Sequence, residues 1–287
     1  MINCLFISDF HGAKDKYTFL FEQILKLKPQ AVFLGGDLLP HFAGFDEVFN
    51  LEREDFLNDF FAIELRRIRE ILKDEYPTIF LILGNDDPRS LEPAFNKLTD
   101  EGLIVYAHGQ NTDFMGYNII GYSFVPPTPF MSKDWEKFDV SRFVDVGCTP
   151  PTDGMRSVDV SDYEAGYSTI KDDLQILLDG VETEKSVLLM HTPPYKTKLD
   201  RAALDGMTVE HVPLDVHIGS IAVQRLLEST KFHLTLHGHI HESTRITGSW
   251  SDVIGETPAF QGATEFGEVS LIRFDLDNPD DAEVIKP

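Results

Sequence analysis

The sequence predicts an α/β protein in which strands and helices alternate first and antiparallel strands follow. In the first hundred residues, short apolar runs alternate with longer stretches whose apolar residues recur at helical spacing. This alternation is typical of parallel strands joined by crossover helices. Polar motifs directly follow three of these apolar runs, at the carboxyl ends of the strands where ligands collect in such sheets.

The predicted elements of the N-terminal part follow in order. The first run, at residues 2–7, reads as a buried strand, and Pro29 ends the helix that comes after it. Gly35 and Gly36 close the second strand. The full set consists of strands at 2–7, 31–34, 78–83 and 103–106, and of helices over 17–25, 57–72 and near 91–98.

The C-terminal part begins with a segment around 122–161 that has five prolines among aromatic residues and no sustained periodicity. A loop of this length is usually functional, although a surface insertion packed by its own aromatic residues is an equal alternative. We therefore predict a single domain over 1–287 with an insertion at 122–161. A strand at 117–121 precedes this segment. The later elements are helices at 169–178 and 221–228, strands at 186–190 and 233–236, and alternating segments at 244–246 and 269–274, interpreted as antiparallel strands that complete a second sheet.

Composition limits the partners and the compartment. A net charge of −23 disfavours general binding to nucleic acid or to an anionic membrane, but a small anionic substrate remains possible where metal cations reverse the local potential. Cys4 and Cys148 suit a reducing compartment rather than a disulfide framework. The first apolar run is too short for a signal peptide, and no run is long enough to span a bilayer. We expect a cytoplasmic protein without membrane insertion, and the oligomeric state stays open.

Polar side chains with metal-binding chemistry follow successive predicted strands. Each of them alone has an ordinary explanation as a helix cap, a turn former or a buried histidine. His239 and His241 differ, because alternate residues of an extended chain point the same way. Carboxylate, imidazole and amide groups suit divalent metals, so the joint pattern predicts a two-metal site. The candidate ligands are Asp9, His11, Asp37, Asn85, His191, His239 and His241.

Taken in order, these motifs resemble those of the calcineurin-like metallophosphoesterases, over residues 9 to about 262. The resemblance implies a four-layer αββα sandwich with two mixed sheets flanked by helices. It also implies two divalent ions (manganese, iron, zinc or nickel), bridged by the Asp37 carboxylate. By the same resemblance, Asp9, His11 and His241 hold one ion, and Asn85, His191 and His239 hold the other.

The chemistry implied is hydrolysis of a small phosphate ester. Two divalent ions about 3.5–4 Å apart share one water and lower its pKa, which yields a bridging hydroxide as nucleophile at neutral pH. The predicted catalytic residues are Asp37, Asn85 and Asp86. The alternatives are a catalytically silent member of the fold that serves as a protein-interaction scaffold, a phosphomonoesterase or protein phosphatase, and a nuclease, which the acidic charge disfavours.

Asp86 departs from the family pattern, because relatives usually carry a histidine there. An ionised carboxylate beside the metals is a poor proton donor and repels a phosphate dianion. The departure therefore favours diesters, which carry one charge fewer, and the predicted activity is that of a phosphodiesterase. His211 or His217 could supply the missing proton, although both could also be ordinary loop histidines.

Four residues are candidates for the substrate pocket. Arg89 could clamp a phosphate or pair with an acidic side chain, and Tyr122 and Ser123 could line the rim or belong to the core. His217 is the fourth candidate. His108 and His237 match no motif position and are expected to be structural. The physiological substrate is not identified by any of these residues.

Overall fold

The computed structural model describes residues 1–41, 56–265 and 267–287, and their elements follow the predicted alternation. The strands are β1 (Asn3–Ile7), β2 (Ala31–Gly35), β3 (Thr78–Ile82), β4 (Val105–Tyr106), β5 (Asn111–Phe114), β6 (Tyr117–Tyr122), β7 (Ser186–Met190), β8 (Thr208–Val209), β9 (Val212–Pro213), β10 (Leu234–His237), β11 (Ser251–Ile254), β12 (Thr257–Gln261), β13 (Leu271–Asp275) and β14 (Asn278–Ile285). The helices are α1 (Lys14–Leu27), α2 (Ala62–Leu72), α3 (Glu92–Asp100), α4 (Asp162–Tyr167), α5 (Ile170–Leu177), α6 (Ile221–Ser229) and α7 (Ser243–Thr247).

Short helical turns accompany these elements. A π-helical turn, Leu57–Phe61, leads into α2, and 3₁₀ turns occupy Lys73–Glu75, Arg89–Leu91 and Thr183–Lys185. Among the parts of the chain that the structure describes, no helix combines the length and the apolar character needed to cross a bilayer.

Two six-stranded mixed sheets form the centre of the fold. The first has the order β14-β13-β1-β2-β3-β4, and β1 to β4 run parallel while β13 and β14 pair antiparallel. The second has the order β11-β12-β10-β7-β6-β5, with four parallel strands between the antiparallel edges β11 and β5. Strands β8 and β9 form a separate hairpin.

Alternation along β1 shows how the layers stack. Cys4 and Phe6 belong to a buried cluster shared with the second sheet, whereas Leu5 and Ile7 pack in a cluster with the flanking helices. Aromatic rings join the two sheets directly: Phe260 of β12 lies 5.8 Å from Phe274 of β13, between ring centroids. Such pairs contribute about 0.5–1.5 kcal/mol beyond the area they bury. The predicted four-layer sandwich with two mixed sheets and flanking helices is confirmed.

Two predictions about the C-terminal part are wrong. Residues 244–246 lie in helix α7, because the amide of Ile246 donates to Glu242 O at 3.0 Å and Gly248 ends the helix with a φ of 73°. Residues 269–274 do include a strand, β13, which is antiparallel as predicted, but it pairs with β1 in the first sheet and not in the second. A period of two identifies a strand without identifying its partner, and three residues are too few to distinguish a strand from a helical turn.

Candidate metal centre

The carboxyl ends of the parallel strands of both sheets meet at one edge of the sandwich. Asp9, Asp37 and Asn85 follow β1, β2 and β3, His191 follows β7, and the histidine pair follows β10. The ring of His191 joins the two sheets, since its Nδ1 donates to Gly35 O of β2 at 2.7 Å. The geometry therefore brings together residues that lie more than 200 positions apart in the chain.

Backbone strain is concentrated at these positions. Asp9, His11, Asp37 and His239 all have positive φ values, of 59°, 46°, 51° and 75°. This left-handed conformation costs a residue other than glycine roughly 1–2 kcal/mol, and such strain is commonly stored at functional sites. The surrounding hydrogen bonds must therefore hold these residues in place.

The first group of ligand atoms comes from Asp9, His11, Asp37 and His241, and all of its atoms lie within 4.8 Å of one another. His241 Nε2 lies 3.1 Å from Asp9 Oδ1 and 3.1 Å from His11 Nε2. His11 Nε2 also lies 3.7 Å from Asp37 Oδ2. These four side chains include the three predicted for one metal together with the predicted bridge.

The second group comes from Asp37, His191 and His239, and Asn85 joins it. His191 Nε2 lies 3.3 Å from Asp37 Oδ2 and 3.1 Å from Asn85 Oδ1. The His191 and His239 rings are 5.1 Å apart between centroids. Asp37 is thus the member that both groups share.

The hydrogen bonding of His191 fits a cation. Because Nδ1 donates to Gly35 O, Nε2 would present its lone pair to a metal once the ring is neutral. That lone pair faces the Asn85 Oδ1 and Asp37 Oδ2 oxygens, which are also acceptors. Mixed nitrogen and oxygen donors around one point suit manganese, iron, zinc or nickel equally. The residues present could therefore hold a metal, and their chemistry does not select which one.

The buried carboxylates raise the affinity of two of the imidazoles for protons. Burial alone would lower the pKa of His191, but the carboxylates of Asp37 and Asp9 raise it to about 9. His11 behaves alike, because its hydrogen bond to Asp86 and the charge of Asp37 outweigh burial and raise its pKa to about 9. Burial lowers the pKa of His239 to about 3. A bound cation would displace the protons of the first two, because metals bind neutral imidazole.

Asp86 makes contacts that the sequence did not predict. Its Oδ2 accepts from His11 Nδ1 at 3.2 Å and from His41 Nδ1 at 2.6 Å, and its backbone amide donates to Asp37 Oδ1 at 2.8 Å. A carboxylate on the outer nitrogen of a ligating histidine fixes the tautomer and turns the inner nitrogen toward the metal. Asp86 thus orients His11 and Asp37, and its predicted catalytic role stays a prediction.

Two further residues near the site were missed. His41 lies in the loop after β2, four residues beyond Asp37. This closeness in sequence to a predicted ligand was the only indication that it could lie near the site. Asp87 is buried, and its carboxylate accepts the backbone amides of Leu38, Leu39 and Gly84. It therefore ties together the loop after β2 and the loop after β3. The family pattern has an acidic residue at this position, but no role was predicted for it.

The four predicted substrate residues have other contacts. Arg89 forms an ion pair with Glu164 at 2.6 Å, as the alternative to a phosphate clamp predicted. Tyr122 is buried, and its hydroxyl donates to Asp173 at 2.7 Å. Ser123 is fully buried. His217 Nδ1 lies 2.8 Å from a carboxylate oxygen of Asp200, and its substrate role stays a prediction.

The other histidines named from the sequence also have identified places. His108 Nδ1 accepts from the Ser123 amide at 3.0 Å, and His237 Nδ1 donates to Thr192 O at 2.9 Å, as suits structural residues. His211 is exposed between β8 and β9.

The family described as calcineurin-like phosphoesterase matches residues 2–243. The chain belongs to this family. Its members typically bind two divalent metals. In this chain, the two ligand groups that share Asp37 could hold such metals.

Solved structures share the fold over the whole length of the chain. One covers 99% of this chain and 98% of its own, with 16% identity and a TM-score of 0.60. The protein TT1561 of Thermus thermophilus has the same coverage and identity with a TM-score of 0.56. A novel archaeal phosphodiesterase matches at 7% identity over 99% of both chains, with a TM-score of 0.44. No curated protein matches the chain.

Proposed function

We propose that this chain is a dinuclear-metal phosphohydrolase that acts on phosphodiesters. The observation that carries the proposal is the position of Asp37, whose Oδ2 lies 3.3 Å from His191 Nε2 and 3.7 Å from His11 Nε2. One carboxylate between two imidazole-containing ligand groups is the arrangement that two neighbouring cations require. Two such ions, when bound, would supply a hydroxide nucleophile and neutralise charge on the phosphoryl oxygens.

Backbone hydrogen bonds to the two central carboxylates support the proposal. Asp37 Oδ1 accepts a hydrogen bond from the amide of Asp86, and Oδ2 faces His11 and His191. One oxygen therefore anchors the carboxylate, and the other is directed at the ligand groups. Asp9 is anchored as well, because its carboxylate accepts the backbone amide of His239 at 3.1 Å. Such preorganisation favours catalysis, since little reorganisation is needed when charge develops.

The preference for diesters rests on charge. The Asp86 carboxylate lies beside the first ligand group and, together with a net charge of −23, disfavours a phosphate dianion more than a monoanion. In a mechanism of this kind the leaving oxygen also needs neutralisation, so esters with good leaving groups are the natural first substrates.

The test compares bis(p-nitrophenyl) phosphate with p-nitrophenyl phosphate, using stripped protein reloaded with manganese, iron, zinc or nickel. We expect kcat/KM for the diester to exceed that for the monoester by about tenfold, which corresponds to roughly 1.4 kcal/mol. An Asp37→Asn variant should lose turnover of both esters. A clear preference for the monoester would refute the diester assignment, and a lack of turnover with every metal would refute the hydrolase.

A further inference from the structure

The insertion between β6 and α4 is fastened directly to the loop that carries Asn85. Ser132 Oγ donates to Asn85 O at 3.4 Å, and Trp135 Nε1 donates to Asp87 O at 2.9 Å. Asp134, itself buried, accepts the Arg89 amide at 2.9 Å. The segment around 130–135 therefore lies against the candidate metal centre.

Large apolar side chains are exposed on this segment and on the chain beside it. Phe130 and Met131, which directly precede Ser132, are 62% and 46% exposed. Met155 is 45% exposed, and its amide donates to Met131 O at 2.7 Å, so the two methionines lie on adjoining backbone. Single exposed apolar residues are common, but a group of them marks a binding surface.

The same surface continues away from the metal centre. Residues 128–129 accept hydrogen bonds from Thr149, which brings the segment holding Val146 and Gly147 alongside. A Cβ placed on Gly147 would lie 3.3 Å from Val209 Cγ2, in the β8–β9 hairpin. We call this surface the apolar rim. Its members are Phe130, Met131, Val146, Met155, Val209 and Val212, each at least 37% exposed.

We propose that the apolar rim binds the apolar group of an amphiphilic phosphodiester whose phosphate lies at the candidate metal centre. The proposal rests on the proposed function and names its substrate class. Continuity is its main support, because Met131 is one residue from Ser132, which contacts Asn85. Charge disfavours two other occupants of the rim, because two copies of a chain with a net charge of −23 repel each other, and so do the chain and an anionic membrane.

The experiment compares methyl and octyl p-nitrophenyl phosphate below the micellar concentration of the octyl ester. Both esters lose nitrophenolate to water and leave an alkyl phosphate, so only the apolar group differs. A fully buried methylene favours binding by roughly fourfold (about 0.8 kcal/mol). We expect kcat/KM to be at least tenfold higher for the octyl ester, mainly through KM, because binding far from phosphorus is the same in the ground and transition states.

The double variant Phe130→Ser/Met131→Ser should reduce the octyl-to-methyl ratio of kcat/KM by about tenfold. The matched control is Met115→Ser, because Met115 is 60% exposed in the turn between β5 and β6, at the opposite end of β6. It should leave the ratio unchanged. Using a ratio of two substrates removes any general effect of the substitutions on stability or metal content.

The outcomes separate the two proposals. Turnover of both esters with equal kcat/KM would overturn the rim and leave the phosphodiesterase standing. Turnover of neither ester with any metal would overturn the phosphodiesterase. Calorimetry would then compare the affinities for octyl phosphate and methyl phosphate, and equal affinities would overturn the rim as well. Two other results would overturn the proposal if the ratio of kcat/KM is the same in the double variant and the parent. Sedimentation of the parent with phosphatidylcholine vesicles, abolished in the double variant, would assign the rim to a membrane. A parent dimer that the double variant abolishes would assign the rim to a second copy of the chain.

Discussion

Asp86→Asn tests whether Asp86 acts through the metal ligands or directly on the substrate. The carboxylate holds His11 Nδ1 at 3.2 Å and His41 Nδ1 at 2.6 Å on the same oxygen. An asparagine keeps the shape and the backbone bond to Asp37, but it replaces the carboxylate with an amide. His11 Nδ1 would then face a weaker acceptor, and its Nε2 would be held less firmly toward the first ligand group.

The size of the effect follows from this contact. Loss of a carboxylate on the outer nitrogen of a ligating histidine typically lowers metal affinity 10–100-fold, or about 1.4–2.7 kcal/mol. Only one of the two ligand groups contains His11. We therefore expect calorimetric titration of stripped Asp86→Asn protein with Mn²⁺ to show one weakened site and one nearly unchanged site.

The control is Asp179→Asn, an exposed aspartate in the turn after α5, which should leave both affinities unchanged. If Asp86→Asn bound both ions as tightly as the parent, the orienting role would be refuted. An accompanying rise in monoester hydrolysis would then support the role inferred from the sequence, in which the carboxylate repels the phosphate dianion.

Three other predictions test the site and its support. Gly84→Ala would place a methyl group 2.2 Å from an oxygen of the bridging carboxylate, so Mn²⁺ titration should show loss of tight binding, whereas Gly166→Ala, with its nearest neighbour at 3.9 Å, should bind normally. Stability contributed by the raised pKa values of His11 and His191 is complete below about pH 6.5 and is lost as pH rises toward 9; calorimetry should show the Tm of stripped protein falling across that window, and that of metal-loaded protein changing less. Asp134→Ala removes three hydrogen bonds, and urea unfolding should show a loss of about 3 kcal/mol; an unchanged midpoint would contradict the anchoring of the insertion.

Local patterns predicted the elements and the ligand candidates because both are short-range properties. The strand predicted at 186–190 agrees with β7, since a continuous apolar run ends at His191. His239 and His241 both lie at the site, but the extended chain assumed for them is wrong: β10 ends at His237, His239 has a φ of 75°, and the two rings belong to different ligand groups. The residues that support the ligands were missed for the opposite reason. Lys16 Nζ donates to Asp9 O at 3.0 Å from the first turn of α1, and no sequence pattern distinguishes it from a surface lysine.

Topology was predictable only where the chain alternates between strand and helix. A parallel pair needs a crossover, so β1, β2 and β3 follow from their connections. The antiparallel strand β13 pairs with β1 across more than 260 residues of sequence, and no local feature could assign it to the first sheet. The apolar rim could not be predicted for the same reason, because its residues come from four separate stretches of the chain, at 130–131, 146, 155 and 209–212.

The hydrogen bonds divide the metal centre into two halves, one on each sheet, with further bonds between them. Asp87 fastens the loop after β2 to the loop after β3 within the first sheet. At this edge, the bonds that cross to the second sheet include those from His191 Nδ1 to Gly35 O and from the His239 amide to Asp9. Both of these bonds involve candidate ligands, so ligands and sheet contacts depend on each other. Metal binding should therefore stabilise the contact between the sheets, and metal removal should expose it to hydrogen exchange before the loops of either half.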